Sequence, residues 1–370
     1  MVEKGGKVDI PVISVSGSPY NLGFQHGTKA KEAIKNNVQF YLDHWQYFAG
    51  VSRDQVLQDA SKFMPYIEMF DTELIEELKG LADGSGLEFE EILALNARWE
   101  LNYAYNKWAS PKAFIPAECT AFALIPGATT NKHTYIGQNW DYNPYGSLLI
   151  VHVIQEQKPA IIMSIEAGTI GQKGFNSAGI GIVQNYMQCE TDSFQLGLPT
   201  LIKERGILNS RSLPECLKIL TGFEGPNSAN LVIAHRDGEA INVECAPSDE
   251  FFLYPENNIL VHTNHFLSPN FRIKDTGKNR VPDTILRNSR AARLLQEKSG
   301  SIEVNTIKGV LSDHFGYPQS ICRHRIDSLN SNEQSETSTS VIIDLTEGEM
   351  LYTDGPPCCH DFKLITMDNY

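Results

Sequence analysis

The sequence predicts an α+β protein, with helices placed before and between clustered strands. Up to about residue 110 the apolar residues recur at helical spacing, and from Cys119 onward they alternate as in strands. Helical segments interrupt the later strands at only a few places, which suits segregated α and β layers rather than a regular βαβ array.

The elements follow in order. The stretch SPYNLGFQHGTKAKEAIKNNVQFYLDHWQYFAG is helical and ends at Gly50, a residue suited to a C-cap. Residues 52–55, SRDQ, have the form of a capping box, and Asp71 precedes TELIEELKGLADGSG, which stops at its glycines. Ile92, Leu95, Trp99 and Tyr103 continue an apolar helical face. In residues 114–127, FIPAECTAFALIPG, the chain turns strand-like after a proline-containing approach. CTAFALIPG, HTYIGQNWD, SLLIVHVIQ, AIIMSIEAG and AGIGIVQN read as strands, and NLVIAHRDGEAINVEC as a hairpin around Asp237-Gly238. Helices are expected over 199–207, 213–221 and TILRNSRAARLLQEK, and a last strand pair in TSTSVIIDLTEGEMLYTDG. The polar stretch at 328–340, SLNSNEQSETSTS, reads as a surface loop. No repeat or long linker is visible, so the composition shift near residue 118 marks a functional boundary within one globular unit.

At 370 residues and 41% hydrophobic content, the chain is long enough for a substantial core. Its 31 basic and 45 acidic residues give a net charge of −14, which repels nucleic acid and anionic membrane surfaces. The start, MVEKGGKVDIPVISVSG, lacks the apolar core of a signal peptide, and the longest apolar run, SLLIVHVI, is far below the roughly 20 residues of a membrane helix. Seven cysteines, an odd number spread through a long chain, suit a reducing compartment. A cytoplasmic location is therefore expected.

Cys358, Cys359 and His360 are adjacent, Cys322 and His324 lie in CRH, and His262 and His265 lie in HTNH, but none has paired C-x-x-C spacing. No metal site is expected. The glycine-rich GTIGQKGFNSAGIGIVQN lacks G-x-G-x-x-G between a strand and a helix, so its glycines are assigned to turns and close strand packing. Cys119 can be read as a small buried hydrophobe or as a nucleophile. It begins a strand rather than the helix that a papain-like cysteine opens, and no G-x-S-x-G elbow is present. A nucleophile here would draw on its own α-amino group, which becomes free only if the chain breaks before it. A terminal amine, with a reference pKa of about 7.7 to 8.0, can accept the thiol proton near neutral pH.

ECTAF, GQNWDYN, FNSAGIGIVQN, VHTNHF and DHFGYPQSICRH, in this order, resemble the isopenicillin N acyltransferase family of Ntn hydrolases. Upstream, GSPYNLGFQHG and LADGSGLEFEEILALNARWE are similar to that family's helical pro-region, and VIIDLTEGEMLYTDGPPCCHDF to its final strands. The resemblance implies a four-layer αββα Ntn-hydrolase sandwich, with residues 1–118 as pro-region and 119–370 as the catalytic region. It implies that Cys119 is exposed by autoproteolysis of the Glu118–Cys119 bond. It further implies that Asp141 orients the terminal amine, that Asn264 donates to an oxyanion, and that Arg323 lies near the nucleophile, with Arg325 two residues away as the alternative. One departure is Glu118, where glycine is typical in the penicillin-producing member.

The expected function is that of a self-processing amidohydrolase or acyltransferase. It would cleave a small N-acyl amide or N-acyl amino acid through an acyl-cysteine thioester and pass the acyl group to water or an amine. No cofactor is implied, apart from a coenzyme A thioester where that is the acyl donor. The alternative is a non-catalytic binding or scaffold protein that retains the fold.

Overall fold

The computed structural model describes residues 9–105, 118–223, 225–247, 249–329 and 333–367. The approach to Cys119 at 114–117 lies outside the described residues. A short strand, β1 (Val12–Gly17), precedes seven helices: α1 (Pro19–Lys29), α2 (Lys31–Ala49), α3 (Arg53–Ser61), α4 (Met64–Phe70), α5 (Thr72–Ser85), α6 (Phe89–Asn96) and α7 (Arg98–Tyr105). Strands β2 (Glu118–Leu124), β3 (Tyr135–Tyr142), β4 (Leu148–Gln155), β5 (Ile161–Glu166), β6 (Lys173–Asn176) and β7 (Ile180–Tyr186) follow. Helices α8 (Thr200–Asn209) and α9 (Leu213–Gly222) lead to β8 (Ala229–His235), β9 (Glu239–Ala246), β10 (Asp249–Leu253) and β11 (Ile259–His262). The chain then forms α10 (Gly277–Arg280), α11 (Asp283–Gln296), α12 (Val304–Leu311), β12 (Glu336–Asp344), β13 (Glu349–Tyr352) and β14 (Lys363–Thr366).

The strands build two sheets, ordered β1-β4-β5-β6-β7-β8-β9-β10 and β11-β2-β3-β12-β13-β14. Three apolar cores fill the spaces between four layers. The first joins Ile34, Tyr41, Leu78 and Leu95 of the N-terminal helices to Val151, Met163 and Leu231 of the larger sheet. In the second, Ala121, Ile136, Ile150, Phe175 and Val232 lie between the sheets. Phe122 and Leu124 pack with Ala291, Leu295, Ile307 and Leu311 of α11 and α12 in the third. Successive side chains of β2 thus enter opposite cores, as the two-residue period of a strand requires. The layers are α, β, β, α, the α+β class expected from the sequence.

Local signals account for several boundaries. Gly50 and Gly86 close α2 and α5 at φ of 69°. Ser52 accepts from the Gln55 N–H at 3.3 Å, and Asp71 from the Glu73 N–H at 2.9 Å. The β8–β9 hairpin turns at Gly238, with φ of +96°.

Three features differ from the sequence reading. The segment before α1 is a strand that pairs in parallel with β4, so the N-terminal third also supplies an edge of the larger sheet. Its six residues are too few for alternation to stand out beside the helices. The first long helical stretch is two helices, because Ala30 leaves helical geometry at φ −115° and ψ 19°. Residues 337–340 belong by sequence both to the end of the polar loop and to the start of a strand, and the strand is the one observed: residues from Glu336 onward form β12, and Thr337, Thr339 and Ser340 are buried. The Thr337 hydroxyl donates to Asp141, and the Ser340 N–H donates to Thr353 Oγ1 at 2.9 Å.

Candidate active site

Antiparallel pairing of β2 with β3 sets Glu118 opposite Asp141 and Cys119 opposite Trp140. On the other side of β2, β11 ends at His262, opposite Ala121, and the chain beyond it carries Asn264 to the Cys119 backbone. On the far side of β3, Thr337 of β12 is opposite Asp141. Adjacent strands therefore deliver Asn264, Cys119, Asp141 and Thr337 to one end of the six-stranded sheet.

The Cys119 N–H donates to Asn264 Oδ1 at 2.9 Å. Arg287, from the inner face of α11, donates to the Cys119 carbonyl oxygen at 2.7 Å and to Asn264 Oδ1 at 3.0 Å. Asn264 Nδ2 donates to the Tyr186 carbonyl oxygen at 2.9 Å. Two donors on one side and a carbonyl on the other fix the orientation of this amide. It is thus the Asn264 oxygen, not its NH2 group, that faces the cysteine nitrogen.

Arg323 pairs with Glu118, and it donates to Asp283 Oδ2 at 2.7 Å. Its Nε lies 3.8 Å from Asp141 Oδ2. Thr337 ties the two together, donating to Asp141 Oδ1 at 2.6 Å and accepting from the Arg323 N–H at 2.9 Å. Arg325 turns away: it pairs with Glu336 at 2.6 Å and its side chain is 42% exposed. Geometry therefore separates the two arginines that the motif left open. The Glu118 carboxylate is buried against Arg323, which gives this side chain a partner where glycine would leave space.

Among the described residues, Glu118, Asp141 and Asp283 face Arg287 and Arg323, three carboxylates against two guanidiniums. Burial pushes the Asp141 carboxyl up to about 7, opposed by the charge of Arg287 and the Thr337 hydrogen bond. A proton held on Asp141 below that pH makes the cluster electrically neutral. Burial also pushes the Cys119 thiol up to about 12, with the Asp141 charge adding to it and Gln138 and Lys173 opposing. Lys173 is itself drawn down to about 8 by burial, its Nζ lying 4.3 Å over the Trp140 ring. In this structure Cys119 is 1% exposed and its thiol is protonated at neutral pH.

Sequence reasoning passed over Arg287, Thr337, Gln138 and Lys173. Arg287 had a usable signal: with Thr284, Ala291 and Leu295 it occupies the buried stripe of α11, where an arginine needs a partner. Thr337 was hidden in a polar run, and Lys173 is one basic residue in a short strand with no distinguishing pattern. A cavity of about 820 Å³ lies elsewhere, bordered by Tyr145, His324, Arg325, Glu336 and Ser338, and Cys119 does not line it. No helix among the described residues is long and apolar enough to cross a membrane.

Known proteins were compared with this chain. Over 318 residues it is 28% identical to the acyl-coenzyme A:6-aminopenicillanic-acid-acyltransferase 40 kDa form of Emericella nidulans, an alignment covering 84% of each chain. Among solved structures, it is similar to a conjugated bile acid hydrolase from Clostridium perfringens, with a TM-score of 0.46 and 15% identity over 68% of this chain and 93% of that one. It is also similar to penicillin V acylase from Agrobacterium tumefaciens, with a TM-score of 0.40 and 13% identity over 68% and 87% of the two chains. A family model described as acyl-coenzyme A:6-aminopenicillanic acid acyl-transferase matches residues 128–352, from the loop after β2 to the end of β13. Matched over more than half of its length, the chain is an enzyme that belongs to the acyl-coenzyme A:6-aminopenicillanic acid acyl-transferase family.

Proposed function

We propose that this enzyme is a self-processing amidohydrolase or acyltransferase whose nucleophile is the Cys119 thiol, liberated by cleavage of the Glu118–Cys119 bond. Residues 1–118 and 119–370 are then two chains of one globular unit. The observation that carries this is the setting of the Cys119 backbone: its N–H is held by Asn264, its carbonyl by Arg287, and the preceding residue lies opposite Asp141.

Processing begins when the Cys119 sulfur attacks the Glu118 carbonyl carbon. The C–N bond breaks, nitrogen leaves as an amine carrying the thiol proton, and water cleaves the resulting thioester to free the thiol and a new carboxyl group. The exposed amine then serves as base for its own thiol, since near pH 8 about half of a terminal amine is neutral. Asn264 Oδ1, 2.9 Å from that nitrogen, and Asp141 orient it. With an N-acyl amine or N-acyl amino acid, the thiolate forms an acyl thioester and the amine departs; with a coenzyme A thioester, the thiol of the carrier departs instead. Asn264 Nδ2 keeps one N–H on the Tyr186 carbonyl and contributes its second to the oxyanion of the tetrahedral intermediate, and water or a second amine takes the acyl group.

Intact-mass measurement tests the reading. Purified protein should yield fragments of 118 and 252 residues, and Cys119→Ala should remain whole. Wild-type protein that stays intact while turning over an acyl donor would rule out the terminal-amine mechanism.

A further inference from the structure

We propose that His314, Cys322, His324 and Cys358 form a four-ligand site for a zinc-class divalent ion, apart from the nucleophile and independent of its assignment. His314, Cys322 and His324 lie on the loop between α12 and β12, and Cys358 on the loop between β13 and β14. One ligand atom from each lies within 4.8 Å of all the others.

The geometry suits the ion. His314 Nε2 and His324 Nε2 are 3.1 Å apart, and His324 Nε2 is 3.6 Å from Cys322 Sγ and 3.3 Å from Cys358 Sγ. A tetrahedral ion with Zn–N near 2.0 Å and Zn–S near 2.3 Å spaces its ligand atoms roughly 3.3 to 3.8 Å apart. Two thiols and two imidazoles form a donor set that zinc favours over the hard cations. The backbone is already folded around the point: the Cys322 N–H donates to the Asp313 carbonyl at 3.0 Å and the His324 N–H to the Pro318 carbonyl at 3.0 Å, closing the loop so that His314 meets both. Arg290 anchors that loop through Asp313 at 2.7 Å. His314 and Cys358 are exposed, which leaves an approach path for the ion. Cys359 contacts the Pro356 carbonyl and His360 and is outside the group.

Spacing concealed this set. One residue separates Cys322 from His324, and the fourth ligand arrives from a different loop, so no C-x-x-C pair announces it. Cys322 also precedes Arg323, so the ion would pin the segment that brings Arg323 to Glu118 and Asp141.

The test is metal content of the full chain, produced with zinc supplied and purified under reducing conditions without chelator. About one equivalent of zinc per chain is expected, and cobalt exchanged into the site should show the absorption of a tetrahedral two-thiolate centre. Cys358→Ser and His324→Ala should each lower bound zinc at least about tenfold with unchanged circular dichroism, while Cys359→Ser retains it. Should either variant misfold, the cobalt spectrum of the wild type decides alone. Wild-type protein with no zinc and no such spectrum, zinc retained equally by the variants, or a Cys322–Cys358 disulfide in place of metal each overturns the proposal.

Discussion

Two donors, the Cys119 nitrogen and an Arg287 guanidinium nitrogen, converge on the single side-chain oxygen of Asn264. Replacing Asn264 by alanine removes the acceptor for the Cys119 nitrogen and, on the proposed function, an oxyanion donor, so kcat in processed protein should fall about 10²- to 10³-fold. Unchanged turnover would move the oxyanion site elsewhere. Asp141 carries a pH signature. Its folded pKa of about 7 exceeds the ordinary 3.8, so the folded protein holds a proton that the unfolded chain releases between those values. The stability contributed by this group is complete below about pH 4 and is lost as pH rises through about 7. Urea unfolding of Cys119→Ala, with and without Asp141→Asn, should show the difference between the two shifting across that window. A difference flat from pH 4 to 8 would contradict the perturbed carboxyl. In protein with the native thiol, Asp141→Asn should slow maturation, followed as loss of the intact chain by mass.

At the scale of elements, α1 and α5 touch backbone to backbone. Gly23 and Gly27 face Gly80 and Gly84, each pair spaced four residues apart on one helical stripe. A Cβ added at Gly80 would lie 2.0 Å from the Tyr20 carbonyl oxygen, and one at Gly23 1.8 Å from the Glu77 carbonyl oxygen. Neither obstacle is a movable side chain, so Gly80→Ala must separate the helices. We expect a loss of about 1–3 kcal/mol or more in chemical denaturation. An exposed alanine substitution such as Lys79→Ala should leave stability within about 0.5 kcal/mol. Strand β12 shows the complementary case, in which polar side chains build rather than open the interior. Thr337 bonds both Asp141 and the Arg323 backbone, so a run resembling loop becomes the beam that holds two site residues.

Across the whole molecule, the segments before and after the Glu118–Cys119 bond share a core and buried ion pairs. Arg98 pairs with Glu166, Arg205 with Glu77 at 2.8 Å, and Asn37 donates to the Ser147 and Ala167 carbonyls. Strand β1 also remains hydrogen-bonded to β4. Separating the segments would strand buried charges as well as apolar surface. The two fragments of the processed enzyme should therefore coelute in native gel filtration and part only in denaturant. Acyl partitioning belongs to this scale too, because it depends on whether the surroundings of Cys119 hold an acceptor amine in line and exclude water. With one acyl donor and rising amine, saturable formation of new amide at the expense of free acid marks a transferase, and acid alone an amidohydrolase. Failure of every donor to acylate Cys119 would rule out this thiol as the nucleophile.

The α+β class, the largely helical first third, the strand onset at Cys119 and the caps at Gly50, Ser52, Asp71 and Gly86 were determined by the sequence alone. They rest on local physics: apolar period, cap chemistry and the conformational freedom of Gly50 and Gly86 act within a few residues. The pairing of Glu118 with Arg323, the choice of Arg323 over Arg325, and the entry of Arg287 and Thr337 into the site were decided only in three dimensions. So was the meeting of His314, Cys322, His324 and Cys358. These contacts join residues up to 205 positions apart, and which charge meets which depends on sheet order and strand register, neither of which has a local signature.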